Sequence, residues 1–496
     1  MAITPNLETT APASTPANAT PKLSGTLGVG AIVFMVVAAA SPLTMMAGAA
    51  PLGFLLGNGI GFPSLFLVCA LILVLFAVGL TAMTRHVPKP GTFFAYIGYG
   101  LGRPPGLAAA YLAITAYTAV QIAVYGYMGQ VLSTTAALLG GPALPWWLYS
   151  IAAIGSVGVL GYFRIDLSSK VLGFLLIAEI AVLTAIVVAV AVTGGSEGLS
   201  MQPFEIPNIV SGAPGVGLMI AMSGFIGFEA VTVFRDEAKD PDKTIPRATY
   251  GAVLGIGTFY AVVTWALVMA WGPDQIVEAS SDPASMLLKT AYNYLGPAGE
   301  AVVNVLLVTS LFACVLSLHN VLTRYQHAMS VAGLLPKSLS RVHERHNSPY
   351  FSSVVQTVTV LALMTLFAVI GLDPVLQIFT WCSGMTPLAI AVLMAMTSVA
   401  VIVYFRRHAS HLSAWHTVTA PVLGFIGLAV AIGIMLTYFP LLVGDVNDAG
   451  DPAFGATSVI LLGVILLALV AGLIQAAVLK ARNPGAYDNI TEAITT

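Results

Sequence analysis

The sequence predicts an all-α integral membrane protein of twelve transmembrane helices with both termini in the cytoplasm. Three observations lead there. Of the 496 residues, 58% are hydrophobic and only 8% are charged, whereas soluble domains carry roughly 25% charged residues. The chain also divides into twelve apolar runs, each near the ~20 residues a helix needs to cross lipid. Finally, basic residues gather on one side of those runs and acidic residues on the other.

The runs lie near 25–56, 62–83, 105–136, 145–163, 167–193, 209–234, 247–271, 299–328, 351–371, 374–404, 417–440 and 456–479. The third is long and the fourth short. Residues 1–23 are rich in Ala, Thr and Pro with one basic residue, Lys22. They lack the basic start, apolar stretch and cleavage site of a secretory signal, so a disordered tail is expected there.

Lysine and arginine mark the cytoplasmic side of a membrane protein. With the N-terminus inside, the inner segments collect Lys22; Arg85, Lys89 and Arg103; Arg164 and Lys170; Arg235, Lys239, Lys243 and Arg247; Arg324, Lys337, Arg341 and Arg345; Arg406 and Arg407; Lys480 and Arg482. Of the 19 Lys and Arg residues only Lys289 falls outside. The outer loops hold Glu197, Glu205, Asp274, Glu278, Asp282, Asp373, Asp445, Asp448 and Asp451. A wrong number of spans would scramble this separation. The expected location is the cytoplasmic (inner) membrane, crossed many times.

Two runs are interrupted. In the first, Pro42 lacks an amide hydrogen and would clash with the carbonyl four residues back, while Ser41 is pushed out of helical geometry. Ser41 then suits the N-cap and Pro42 the first position of a new half-helix. The sixth run is broken by Ser223, Gly224 and Gly227. The two breaks take corresponding places if spans 1–5 and 6–10 are repeats, and paired breaks mark a transport site near the midplane. Each break exposes carbonyls at one end and amides at the other. Free amides suit a carboxylate and free carbonyls an ammonium group, so an amino acid or an amine is the expected solute. The expected binding residues are Ala39, Ala40, Ser41 and Thr44 at the first break and Ser223, Gly224, Phe225, Ile226 and Gly227 at the sixth.

The stretch GFIGFEAVTVFRDEAKDPDKTIPRA at 224–248 resembles the sixth-helix signature of the amino acid–polyamine–organocation transporters. NVLTRYQHAMSVAGLLPKSLSRVHERHNSPY at 320–350 is similar to the end of helix eight and the loop after it in that family, and PKPGTFFAYIGYGLG at 88–102 to its helix-two-to-three connection. The likeness covers nearly all of 24–480. It implies the leucine-transporter fold: a 5+5 inverted repeat of ten helices plus two more, working by alternating access. The expected organisation is therefore a tail at 1–23, a transport core at 24–404 with repeats at 24–194 and 209–404, peripheral helices at 415–480, and a cytoplasmic tail at 481–496. The chain departs from the family twice. Where relatives often carry Gly-x-Gly-Ile, it has Ala39, Ala40, Ser41 and Pro42, which changes which amides are free. Where many carry a gating aromatic it has Ser223, leaving that role to Phe225 or to an aromatic of the third span.

Two carboxylates lie well inside spans. Glu179 is 13 residues after Asp166, roughly 20 Å along a helix and so near mid-membrane, where a charge costs about 2.5–3.5 kcal/mol. No lysine or arginine occupies a span centre, so Glu179 is expected to lack a partner and to carry a proton or bind a cation during the cycle. In the resembling family this region often holds a lysine that stands in for sodium. Glu229 lies about 9 Å from Arg235 along the helix, close enough for a structural pairing, with gating or amine attraction as its other roles. Tyr117, Gln121 and Tyr125 share one helical face, which either lines the pathway or packs against another helix; a glutamine facing lipid would be costly, and the pathway is the expected role. Thr309 and Ser310 are weak sodium-site candidates, since hydroxyls in membrane helices usually bond to their own backbone.

The remaining signals exclude more than they assign. Cys69, Cys314 and Cys382 all fall in apolar runs, which argues against disulfides and a metal site. HERH at 343–346 reads as a solvated basic loop, and neither a metal nor a cofactor is expected. Net charge is −2 with no basic patch for nucleic acid. No phosphate-binding GxxxxGK[ST] loop appears, and no nucleophile–base pair sits in the spans, so neither direct ATP drive nor an enzyme is expected. The reading is a secondary transporter of a small amino acid or biogenic amine, with a proton as the expected coupling ion. Its alternatives are an exchanger of amino acids or polyamines, a sodium symporter and a transporter-like sensor.

Overall fold

The computed structural model describes residues 27–490 apart from 88–92, 143, 164–168, 347, 409–410 and 489. The expected tail at 1–23 lies outside the described residues, as do Lys22, Lys89, Arg164 and the last six positions of the 481–496 tail. Every helix named here comes from the described part.

The first span forms as two pieces, α1 (Val29–Ala39) and α2, which runs through Pro42–Thr44, a wide turn at Met45–Ala49 and Ala50–Leu56. Then come α3 (Phe62–Met83), the short α4 (Phe93–Leu101), α5 (Arg103–Leu138), α6 (Trp146–Tyr162) and α7 (Ser169–Thr193). The sixth span is α8 (Pro214–Ser223) followed by a 3₁₀ segment, Phe228–Glu237. It is followed by α9 (Pro241–Trp271), α10 (Met286–Val331), α11 (Tyr350–Val369), α12 (Thr380–Arg407, preceded by the wide turn Pro374–Phe379), α13 (Ala420–Leu442) and α14 (Ala456–Arg482).

Eleven helical stretches among the described residues are long and apolar enough to cross a membrane. The remaining expected span, α6, has 17 residues, about 26 Å at ~1.5 Å per residue. The helix α10 reaches 46 residues only because it bends at Gly296, φ 74°, just before Pro297. Its first part lies before the eighth apolar run and carries Lys289, the one basic residue expected outside, which pairs with Asp282 at 3.1 Å.

Packing follows the lipid logic of the sequence. On α14 the buried positions are Ser458, Ile465, Ala468, Gly472 and Ala476, a single stripe, while Ile460, Leu466 and Leu467 are exposed. Small residues let helices approach closely in a membrane; a Cβ on Gly472 would stand 2.4 Å from Ala108 Cα on α5. Within the expected C-terminal tail, Pro484–Asp488 forms a further helical turn. Arg103 holds it, pairing with Asp488 at 2.7 Å and covering the Tyr487 ring.

Candidate functional site

Both predicted interruptions are present. Helix α1 stops at Ala39, and Ser41 takes φ 44°, ψ 72°, the only positive φ of a non-glycine residue among those described. Left-handed geometry costs an L-residue roughly 1–2 kcal/mol, and Pro42 forbids the continuous helix that would avoid it. Ser41 stands at the N-cap as expected, yet its side chain makes no capping bond. The second break turns at Gly227, φ 102°, where glycine alone is unstrained. The two meet: Ser223 Oγ lies 3.8 Å from Met45 Sδ while donating to the Ile220 carbonyl at 2.7 Å.

Glu179 has a partner, contrary to the sequence expectation. Its Oε2 accepts the Leu43 amide at 3.2 Å, so a side chain of α7 seals the start of α2. The Ser310 hydroxyl stands beside the same carboxyl and lies 3.3 Å from Thr44 Oγ1. Glu179 is 5% exposed. On the other side of the break, the Tyr260 hydroxyl donates to the Ala40 carbonyl at 3.3 Å. Thr309 turns away from this cluster and bonds back to Val305 and Leu306 of its own helix.

Glu229 does the same at the second break. Its Oε2 accepts the Gly227 amide at 3.0 Å, and its Oε1 accepts the Tyr117 hydroxyl. The expected pairing with Arg235 does not form; Arg235 bonds Asp242 at 2.7 Å, and Arg85 approaches the same carboxylate at 3.6 Å. The expectation of free amides is corrected in part: a buried acid takes the Leu43 amide at the first break and the Gly227 amide at the second.

The stripe on α5 divides. Tyr117 reaches Glu229, but Gln121 is fully buried and accepts from Gln356 Nε2 at 2.8 Å. Gln356 in turn accepts from Gln326 at 2.7 Å. Gln121 thus ties α5 to α11 and α10. Tyr125 is buried beside it. Phe225 packs inward, its ring 6.5 Å from that of Phe66, and Gly224 faces the Tyr260 ring. The amide of Ile226 bonds the Ser223 carbonyl at 3.2 Å. Sequence reasoning missed Tyr260, Gln326 and Gln356. Tyr260 carries no sequence signal, but the two glutamines, lone amides in apolar runs, were open to the argument applied to Gln121.

An all-helical bundle with eleven stretches of spanning length and two interrupted helices meeting in its interior has the build of a multi-pass membrane transporter. Residues 25–474 match the amino acid permease family, and the chain belongs to it. Among its relatives, the branched-chain amino acid permease BcaP of Bacillus subtilis is 25% identical over 311 residues, covering 60% of this chain and 65% of that one. The L-asparagine permease of Escherichia coli is 23% identical over 302 residues, 57% of each chain. The putrescine transporter PotE of Haemophilus influenzae is 23% identical over 316 residues, 61% of this chain and 68% of that one. The chain thus spans just under two thirds of the length of the first of these relatives. A crystal structure of the Eremococcus coleocola manganese transporter superposes with a TM-score of 0.54 at 14% identity, over 95% of this chain and 99% of that one. That likeness concerns the fold.

Proposed function

We propose that this protein is a secondary active transporter that moves a small amino acid or biogenic amine across the cytoplasmic membrane by alternating access, with a proton as coupling ion. In this reading α6 is the twelfth span, both termini face the cytoplasm, and residues 24–194 and 209–404 are inverted repeats. The observation that carries it is the meeting of two broken helices, with Glu179 set against the first break and Glu229 against the second. Irregular backbone at membrane depth is tolerated where it is enclosed by protein or lines a cavity, and paired breaks are where transporters hold their solutes. The names of the relatives support both substrate kinds, two being amino acid permeases and one a putrescine transporter.

The test is uptake of labelled amino acids and amines into liposomes containing the purified protein, with and without an inward proton gradient. Uptake stimulated by the gradient is expected, and Glu179→Gln removes that stimulation. Uptake by the intact protein that ignores the gradient would overturn proton coupling; uptake of neither class would overturn the transport reading.

A further inference from the structure

The donors and acceptors left over at the two breaks narrow the substrate further, provided the breaks hold the transported molecule as proposed above. A carboxylate bound at a helix start needs adjacent free amides aimed at it. At the first break Pro42 has none to give, Leu43 donates to Glu179 at 3.2 Å, and Met45 donates to the Ser41 carbonyl at 3.1 Å. The amides of Ser41 and Thr44 have no partner among the described residues, and Pro42 and Leu43 separate them. At the second break the amides of Gly224, Phe225 and Ile226 bond the carbonyls of Ala221, Met222 and Ser223, and Gly227 donates to Glu229. Among the described residues, neither break leaves two consecutive amides without a partner for a substrate carboxylate.

The charge balance points the same way. Glu179 and Glu229 are both buried; the described partners of Glu179 are the Leu43 amide and Ser310, and those of Glu229 are the Gly227 amide, its own amide and Tyr117. The ion pairs formed by Arg85, Arg103, Arg235, Lys243 and Lys289 all go to other acids. A buried carboxylate without a cation is unfavourable. An incoming carboxylate would meet another acid at the first break, whereas an incoming ammonium group would meet a carboxyl with the Ser310 and Thr44 hydroxyls beside it.

We propose that this transporter selects organic amines that lack an α-carboxylate, with Glu179 filling the position a substrate carboxylate would take and receiving the ammonium group. The residue is then a determinant of specificity as well as a seal on the broken helix.

The experiment compares matched pairs on the purified full chain: putrescine with ornithine, cadaverine with lysine, tyramine with tyrosine, and isoamylamine with leucine. Binding is read as Kd from thermal shifts, which rise with ligand by mass action. At least one amine is expected to bind tenfold or more tightly than its parent amino acid. Glu179→Gln should weaken that amine at least tenfold, while Glu179→Asp, which keeps the charge, should hold it within about threefold. Parent amino acids binding as tightly as their amines would overturn the proposal and leave the transport reading standing, as would a Glu179→Gln protein that keeps its amine affinity. Binding and uptake of neither class would overturn both. The comparison on the unmodified chain decides the matter even if a variant fails to fold.

Discussion

Replacing Tyr117 with Phe tests whether the second break is held by its buried acid. The substitution removes one hydroxyl and leaves the ring. Glu229 Oε1 then loses the donor it has from α5, in a place where the residue is only 4% exposed and water cannot replace it. A hydrogen bond to a charged group contributes about 1.5–3 kcal/mol. Because Oε2 keeps the Gly227 amide at 3.0 Å, the carboxyl is only half stripped, and about 1.5–2 kcal/mol is the reasonable expectation. The assay is a double-mutant cycle of Tyr117→Phe with Glu229→Gln, read by reversible unfolding in mixed micelles. A coupling energy of about 1 kcal/mol or more fits two residues in one bonded network, and a value under ~0.5 kcal/mol is what independent sites give. The lower result would refute the claim that α5 fastens the broken helix through this pair.

Two further outcomes follow from residues on either side of that network. Gly227→Ala puts a side chain where φ is 102° and should cost about 1–2 kcal/mol, seen as a lower Tm in detergent; an unchanged Tm would mean the turn relaxes freely. His86 lies beyond the end of α3 against the rings of Tyr404 and Phe405. Partial burial, then the neighbouring Arg85, Arg235 and His408, lower its pKa from the ordinary imidazole value of 6.5. The unfolded chain then takes up this proton more readily than the folded one, so stability is intact above that pH and declines as pH falls below it. His86→Gln should flatten the decline in Tm between pH 7.5 and 5.5, and equal slopes in both proteins would rule the effect out.

Much of this architecture was legible because lipid imposes few choices. Pro42 denies the helix an amide hydrogen and Gly227 allows a positive φ at no steric cost, and the helices break there. Lys289 looked anomalous in the charge pattern, and the bend at Gly296 gives it a place before the eighth apolar run. What the sequence could not yield were pairings between distant helices. Glu179 and Leu43 are 136 positions apart, and nothing in either neighbourhood indicates that α7 turns this face toward the first break. The sequence argument chose Arg235 for Glu229 because it was near along the chain. In space Asp242, seven residues on, takes it instead: its side chain is half exposed at a helix end, and Arg235 Nη2 reaches it at 2.7 Å. Tyr117 and Gln121 were both expected to line the pathway, but the periodicity that grouped them could not separate a residue reaching the second break from one that reaches a glutamine of another helix.

The same geometry sets what a conformational cycle has to undo. On the arginine-rich side, the start of the first span is fastened to the end of the sixth by two backbone bonds. The Leu27 amide donates to the Glu237 carbonyl at 2.9 Å, and the Lys239 amide to the Leu27 carbonyl at 3.0 Å. Close by, Asp242 collects Arg235 and Arg85. Net contributions of about 0.5–1.5 kcal/mol for each backbone bond and at most about 1 kcal/mol for each exposed ion pair sum to a few kcal/mol. That is the gap at which the minor state of a two-state protein is still populated at the per cent level. The acids at the breaks belong to a different class of contact: buried, bonded to backbone, and costly to strip without a replacement partner. Releasing the peripheral ties on the arginine-rich side therefore costs less than stripping the buried Glu179 and Glu229 of their amides.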